Sequence, residues 1–217
     1  MSVERNRWFV VFVTATGLHL AGQLAGVAAL HLATKPLLMP ALLAWFLTVT
    51  PRSRQRTLVA IGLGWSWLGD LGLMPSGEGW FLAGLGAFLV AQLTYAVAFW
   101  PSRADSVLAR PLLTLPYLAV LVGLLAALWG DLGDLRVPVT VYAVVIVSMA
   151  VLATGVGRLV GIGAGLFVAS DALIALDTVA GLVRLPAHGF WVMVTYLAAQ
   201  LLIAAGVASA VRAQAPG

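Results

Sequence analysis

Long apolar stretches alternate with short polar gaps along the whole chain, and the stretches have the length of membrane-crossing helices. A helix rises ~1.5 Å per residue, so roughly 20 apolar residues cross the hydrocarbon core. On that ruler the chain predicts spans over Trp8–Leu30, Pro36–Val49, Thr57–Met74, Trp80–Trp100, Leu108–Trp129, Val137–Gly155, Leu159–Leu176 and Gly189–Val211. The expected fold is all-α: a polytopic membrane protein of about eight helices in one bundle, a single transmembrane domain over residues 1–217. The second span is the shortest, with Pro40 placed to kink it, and Pro116 is placed to do the same in the fifth. The first run follows Arg5 and Arg7 as a signal peptide would, but it continues to about Leu30 without a small-x-small cleavage site. It reads as a retained span.

Composition agrees with the pattern. With 62% hydrophobic residues, 9% charged residues and a mean hydropathy of +1.03, the chain has too little polar surface to cover a soluble globule. The pI near 10.1 does not signal nucleic acid, because the 12 Lys and Arg lie in the gaps between apolar runs, where they set topology and attract anionic lipid headgroups. If the N-terminus is cytoplasmic, the cytoplasmic cations are Arg5, Arg7, Arg52, Arg54, Arg56, Arg103, Arg110, Arg158 and Arg212, against Lys35, Arg136 and Arg184 outside. That bias predicts cytoplasmic N and C termini. Glu78, Asp131, Asp134 and Asp177 fall outside on the same reading. The compactness of the chain points to a bacterial cytoplasmic membrane. The absence of cysteine excludes disulfide, iron–sulfur and thiol-nucleophile chemistry.

Two acids lie inside apolar runs: Asp70 in TLVAIGLGWSWLGDLGLM and Asp171 in GIGAGLFVASDALIAL. An ionisable group at membrane depth costs at least ~2.5 kcal/mol and is by default a functional candidate. Both fall on helices running from cytoplasm to outside, in the outer half, where they could share a cavity. Two buried carboxyls close together cannot both ionise easily, so one keeps its proton beside a carboxylate, which is what general acid–base chemistry needs. The competing reading is that each acid caps a broken helix or pairs with a cation such as Lys35 for assembly. Asp70 and Asp171 are 101 residues apart, as are Lys35 and Arg136, a pattern that fits a parallel four-plus-four repeat.

Other polar positions carry weaker signals. Lys35, after His31 at the outer end of the first hairpin, could hold a lipid phosphate or merely snorkel to the interface. Tyr142 and Tyr196 fall at similar depth and could donate to a phosphate or ester oxygen, although belt tyrosines are commonplace there. His19, His31 and His188 have no metal-ligand spacing, and a lone histidine in a membrane helix is more often an interhelical hydrogen-bonding residue. Gly62, Gly64, Gly69, Gly161, Gly163 and Gly165 read as close helix-packing contacts, not as a nucleotide loop. No GxSxG elbow is present. The tryptophans read mostly as belt or packing residues.

The segments KPLLMPALLAWFL (Lys35–Leu47), WSWLGDLGLM (Trp65–Met74), FLAGLGAFLVAQLTYAVAF (Phe81–Phe99) and GAGLFVASDALIAL (Gly163–Leu176) resemble, in order, the YhhN-like lysoplasmalogenase family of membrane proteins. The resemblance implies an eight-helix enzyme that hydrolyses the vinyl ether bond of a lysophospholipid substrate within membrane lipids, releasing a fatty aldehyde and glycerophosphocholine or glycerophosphoethanolamine. Carried over position by position, the paired acids fall on Asp70 and Asp171, the lysine on Lys35 and the fourth-helix tyrosine on Tyr95. Gln92 stands where many relatives have histidine.

The implied chemistry suits the acids. Protonation of the β-carbon of a vinyl ether creates an oxocarbenium-like cation; one protonated carboxyl can supply the proton and one carboxylate can stabilise the cation and activate water. No cofactor and no metal are needed. The alternative from another class is a proton-coupled small-molecule or lipid transporter, in which the acids are coupling sites and the repeat supports alternating access. A metal-dependent intramembrane lipid hydrolase is a third reading.

Overall fold

The computed structural model describes residues 2–178, 181–182 and 185–214, with side chains from residue 7 onward except that of 178. Among the described residues there are eight α-helices: α1 (Ser2–Leu24), α2 (Ala28–Val49), α3 (Arg54–Gly72), α4 (Glu78–Phe99), α5 (Pro111–Leu128), α6 (Arg136–Val156), α7 (Arg158–Thr178) and α8 (His188–Gln214). Short 3₁₀ turns link α4 to α5 and α5 to α6. Six helices, α2 and α4 to α8, are long and apolar enough to cross a membrane. The remaining two are more polar, and each packs along an apolar neighbour, α1 on α2 and α3 on α4.

The bundle is built for lipid. α5 is apolar on every face, yet only Leu128 of it is buried, while Leu112, Leu115, Leu118 and Val122 are exposed. A helix of that composition with that exposure belongs against acyl chains. α8 lies at the centre, touching α1, α2, α3, α6 and α7, with Val192, Tyr196, Gln200, Ile203 and Val207 buried along its length. The basic segments around Arg52–Arg56, Arg103, Arg110, Arg158 and Arg212 all fall at one end of the bundle. Lys35 and Arg136 fall toward the other; Arg184 lies outside the described residues.

The first hairpin turns earlier than expected. α1 stops at Leu24, not near Leu30, because Gly26 takes φ 68° and closes a Schellman motif in which the Val27 N–H donates to Gly22 O at 2.9 Å and the Gly26 N–H to Gln23 O at 3.3 Å. α2 therefore starts at Ala28 and is a full-length helix, and Lys35 sits inside it, two turns from its start, instead of in a loop. The helix runs continuously through Pro36 and Pro40. Their i, i+4 spacing leaves the Pro36 carbonyl without its usual N–H, and the Trp67 indole of α3 donates to that carbonyl at 2.9 Å.

The last three helices of each half pack alike. α2 meets α3 and α3 meets α4 as α6 meets α7 and α7 meets α8, and the two units meet through α4 on α6 and through α1, α2 and α3 on α8. The strings LVAIGLG (Leu58–Gly64) and LVGIGAG (Leu159–Gly165) stand on the two aspartate helices at the same offset of 101, as do Tyr95 and Tyr196.

Candidate active site

Asp70 is the third residue from the end of α3 and only 4% exposed. Glycine brings its helix close to α4: a Cβ at Gly62 would enter the Tyr95 ring, one at Gly69 the Phe88 ring, and Gly72 abuts the backbone of Gly84. Gly163 similarly lies against the α8 backbone at Ala199, whereas Gly64 and Gly165 meet nothing within 4 Å. Glycine packing thus holds for part of the predicted set.

A directed chain of hydrogen bonds ends on Asp70. Tyr95 on α4 donates its hydroxyl proton to Gln200 Oε1 at 2.8 Å, Gln200 Nε2 donates to the Tyr196 hydroxyl at 3.4 Å, and Tyr196 donates to Asp70 Oδ2 at 2.8 Å. Every donor points toward the carboxylate, so the amide orientation of Gln200 is fixed by its neighbours. Lys35 is the cation close enough to act on Asp70 electrostatically, but among the described residues no carboxylate lies within ion-pairing distance of it.

Asp171 is held differently. The Tyr142 hydroxyl of α6 donates to its Oδ2, and the preceding Ser170 ties α7 to α8 through Val192 O at 3.1 Å. Gln92, fully buried on α4, turns its amide toward the Tyr142 phenol, although neither amide atom makes a regular hydrogen bond. The two aspartates are near enough to interact with each other. Asp171 is partly exposed, into an apolar groove it shares with Leu85, Phe88, Val139, Tyr142 and Ala175.

That groove joins a larger cavity of about 650 Å³ at the same end of the bundle; Leu73, Phe81 and Ile174 line both. The cavity is lined by Lys35, Gln23, Glu78, Asp131 and His188 among its polar residues. Behind Lys35, His19 spans α1 and α2: its Nδ1–H donates to His31 O at 3.0 Å and Thr34 Oγ1 at 3.1 Å, and its Nε2 accepts from Gln23 Nε2 at 3.2 Å. This is the interhelical role expected of a lone membrane histidine.

Of the seven predicted site residues, Tyr95 and Tyr196 reach Asp70 through hydrogen bonds, Tyr142 donates to Asp171 with Gln92 beside it, and Lys35 lines the adjoining cavity; Gln92 and Tyr95 sit in the half of α4 nearer Phe99. Tyr142 and Tyr196 are not belt residues: they are 7% and 3% exposed and face inward, Tyr142 donating to the partly exposed Asp171 and Tyr196 to the buried Asp70. Gln200 was not among the predicted residues. Its signal is a polar side chain one turn after Tyr196 in an otherwise apolar helix, YLAAQLL.

Residues 30–207 match the YhhN family. The chain belongs to that family. This YhhN protein is 34% identical over 207 residues to the lysoplasmalogenase of Mycobacterium bovis, covering 90% of this chain and 78% of that one. It is 31% identical over 206 residues to lysoplasmalogenase TMEM86B of Rattus norvegicus, covering 91% and 82%, and 35% identical over 138 residues to the Homo sapiens TMEM86B, covering 63% and 56%. No solved structure matches it.

Proposed function

We propose that this YhhN protein is a lysoplasmalogenase, an ether hydrolase that converts choline or ethanolamine lysoplasmalogen to a fatty aldehyde and a glycerophospho-alcohol. The observation that carries the reading is the pair of carboxyls, Asp70 and Asp171, each accepting from a tyrosine and near enough for their charges to interact, beside an apolar groove that leads to a cavity with Lys35 on its wall. The names of the relatives support the same reaction.

On this reading the alkenyl chain lies in the groove and Lys35 holds the phosphate. One aspartic acid protonates the β-carbon of the vinyl ether, the double-bond electrons form the new C–H bond, and positive charge develops on the α-carbon and ether oxygen. The other, as carboxylate, takes a proton from water as that water adds to the α-carbon. The hemiacetal then breaks its bond to the glycerol oxygen, which takes the proton held by the second aspartic acid, while the hemiacetal hydroxyl returns its proton to the first aspartate and the aldehyde is released. Tyr142 and Tyr196 hold the two carboxyls in place. Tyr95 and Gln92 have no exposed surface and are positioning residues, acting through Tyr196 and Tyr142. Eight spans with both termini in the cytoplasm would open the cavity on the outer side of a bacterial cytoplasmic membrane, supported by the bias of arginine toward the opposite end.

The test is aldehyde release from a lysoplasmalogen by the purified, detergent-solubilised protein, beside Asp70→Asn, Asp171→Asn and an alkyl-ether lysolipid without the double bond. Aldehyde from wild type alone, and from the vinyl ether alone, is expected. A folded wild type that releases none, or an Asn variant with near-normal turnover, overturns the mechanism. Movement of unaltered lipid across a vesicle would then favour the proton-coupled transporter.

A further inference from the structure

The two carboxyls are served by matching chains of side chains on different helices. Asp70 accepts from Tyr196, whose oxygen accepts from the Gln200 amide. Asp171 accepts from Tyr142, whose oxygen faces the Gln92 amide. The first chain goes one step further, because Gln200 Oε1 accepts from the Tyr95 hydroxyl at 2.8 Å. The second stops at Gln92 Oε1, which is buried and has no donor among the described residues.

Ser66 is unpartnered in the same place. It has no exposed surface, lies one turn before Asp70 on the same face of α3, and stands beside the Tyr95 phenol. A serine or threonine inside an apolar helix ordinarily donates to the carbonyl one turn back, as Thr94 does to Val90 O and Ser148 to Val144 O, both at 2.7 Å. Among the described residues Ser66 makes no such bond. The glycine contacts fix what its hydroxyl faces. Gly62 packs on Tyr95, Gly69 on Phe88 and Gly72 on Gly84, so Ser66, between Gly62 and Gly69, stands against the stretch of Ala91 and Gln92, between Tyr95 and Phe88. Two buried groups with spare hydrogen-bonding capacity therefore face each other between α3 and α4, and neither lines the cavity or the groove. Buried polar groups are nearly always satisfied, by protein or by an ordered water with about three polar partners.

We propose that Ser66 and Gln92 hold one buried water that joins the two chains, and that Ser66 acts through it as a positioning residue for both aspartates. The donors and acceptors balance. The water donates one hydrogen to Gln92 Oε1 and the other to Ser66 Oγ, the Ser66 hydroxyl donates to the Tyr95 oxygen, and the Tyr95 proton stays on Gln200 Oε1. Every donor then points away from the water and toward a carboxyl, so both phenols are held as donors to their acids. The positioning role rests on the lysoplasmalogenase reading; the water site does not.

The experiment reads the water apart from turnover. Full-length protein in detergent, labelled with nitrogen-15 at its glutamine side-chain amides, is compared by NMR with Ser66→Ala; Gln92→Leu and Gln200→Leu assign the two amide signals by their loss. In wild type the Gln92 amide protons are expected to show a nuclear Overhauser contact to a slowly exchanging water. In Ser66→Ala that contact should vanish and the Gln92 and Gln200 signals should both move. The same variant should lower kcat for aldehyde release about tenfold at unchanged KM, since the hydroxyl lies away from the lipid. A wild-type Gln92 amide without a water contact, or a contact that survives in Ser66→Ala, overturns the site. Loss of the contact with kcat unchanged overturns the positioning role. A water contact in a protein that releases no aldehyde removes the hydrolase reading, and the positioning role with it, and keeps the site.

Discussion

Tyr196 on α8 donates to Asp70 on α3 at 2.8 Å, with the Gln200 amide donating to the same phenol from one turn away. The phenol therefore presents its only proton to the carboxylate. A hydrogen bond to a charged group contributes ~1.5–3 kcal/mol. Tyr196→Phe is expected to lower kcat for aldehyde release by roughly tenfold to a hundredfold on that basis, with KM nearly unchanged because the ring keeps its packing against Phe88 and Phe167. A KM effect without a kcat effect would place Tyr196 on the lipid instead of on the acid.

Gln200 allows a cycle that tests the whole relay. Gln200→Leu leaves the Tyr95 hydroxyl, which has no exposed surface, without its acceptor. A buried donor left unpaired costs ~1–3 kcal/mol, so thermal stability in detergent should fall. Removing the hydroxyl too, in Gln200→Leu/Tyr95→Phe, should recover much of the loss, while kcat stays low because Tyr196 has lost its amide. Additive losses of stability in the double variant would mean that the two side chains are not coupled.

How far these residues were legible depended on what each signal measures. Run length and composition report how apolar a segment is, so they identify the helices and their order. They do not locate the first turn, since LAGVAAL is apolar throughout and only the left-handed glycine at Gly26 ends α1. Intramembrane charge singles out Asp70 and Asp171 because its cost is independent of the helix face. Depth along a helix, by contrast, cannot tell an inward phenol from a lipid-facing one, which is why Tyr142 and Tyr196 read as belt residues. Gln200 carries no charge and falls in no catalytic motif, so its one mark in the sequence is a polar side chain one turn after Tyr196 in an apolar run. The 101-residue offset is informative where it fails: Tyr142 corresponds to Ala41, so the two aspartates receive their phenols from different places and need not share one role.

Glycines of the same motif should respond in opposite ways. Gly62→Ala drives a methyl into the Tyr95 ring and Gly69→Ala into the Phe88 ring. Overpacking costs ~1–3 kcal/mol, and both should also lower kcat by moving α4 and the Asp70 relay. Gly64→Ala, on the open face of the same helix, should leave stability and turnover unchanged. Thermal unfolding and aldehyde release on the three variants measure this, and a destabilised Gly64→Ala would show that α3 packs against something on that face.

The bond from Trp67 to Pro36 gives the sharpest test of the packing, because the need for it is created by a second proline. The Pro36 carbonyl lacks an intrahelical donor only because residue 40 is proline. Trp67→Phe should therefore destabilise the protein by about 1 kcal/mol or more and loosen the segment that carries Lys35, raising KM more than it lowers kcat. Pro40→Ala restores an N–H at the position that the helix geometry requires, so in that background the same Trp67→Phe change should cost much less. Equal losses of melting temperature in both backgrounds would mean that the indole acts through its bulk and not through the hydrogen bond. A selective rescue would show that the KPLLMP segment and Trp67 function as one unit, with the indole of α3 completing the backbone of the helix that holds the lysine.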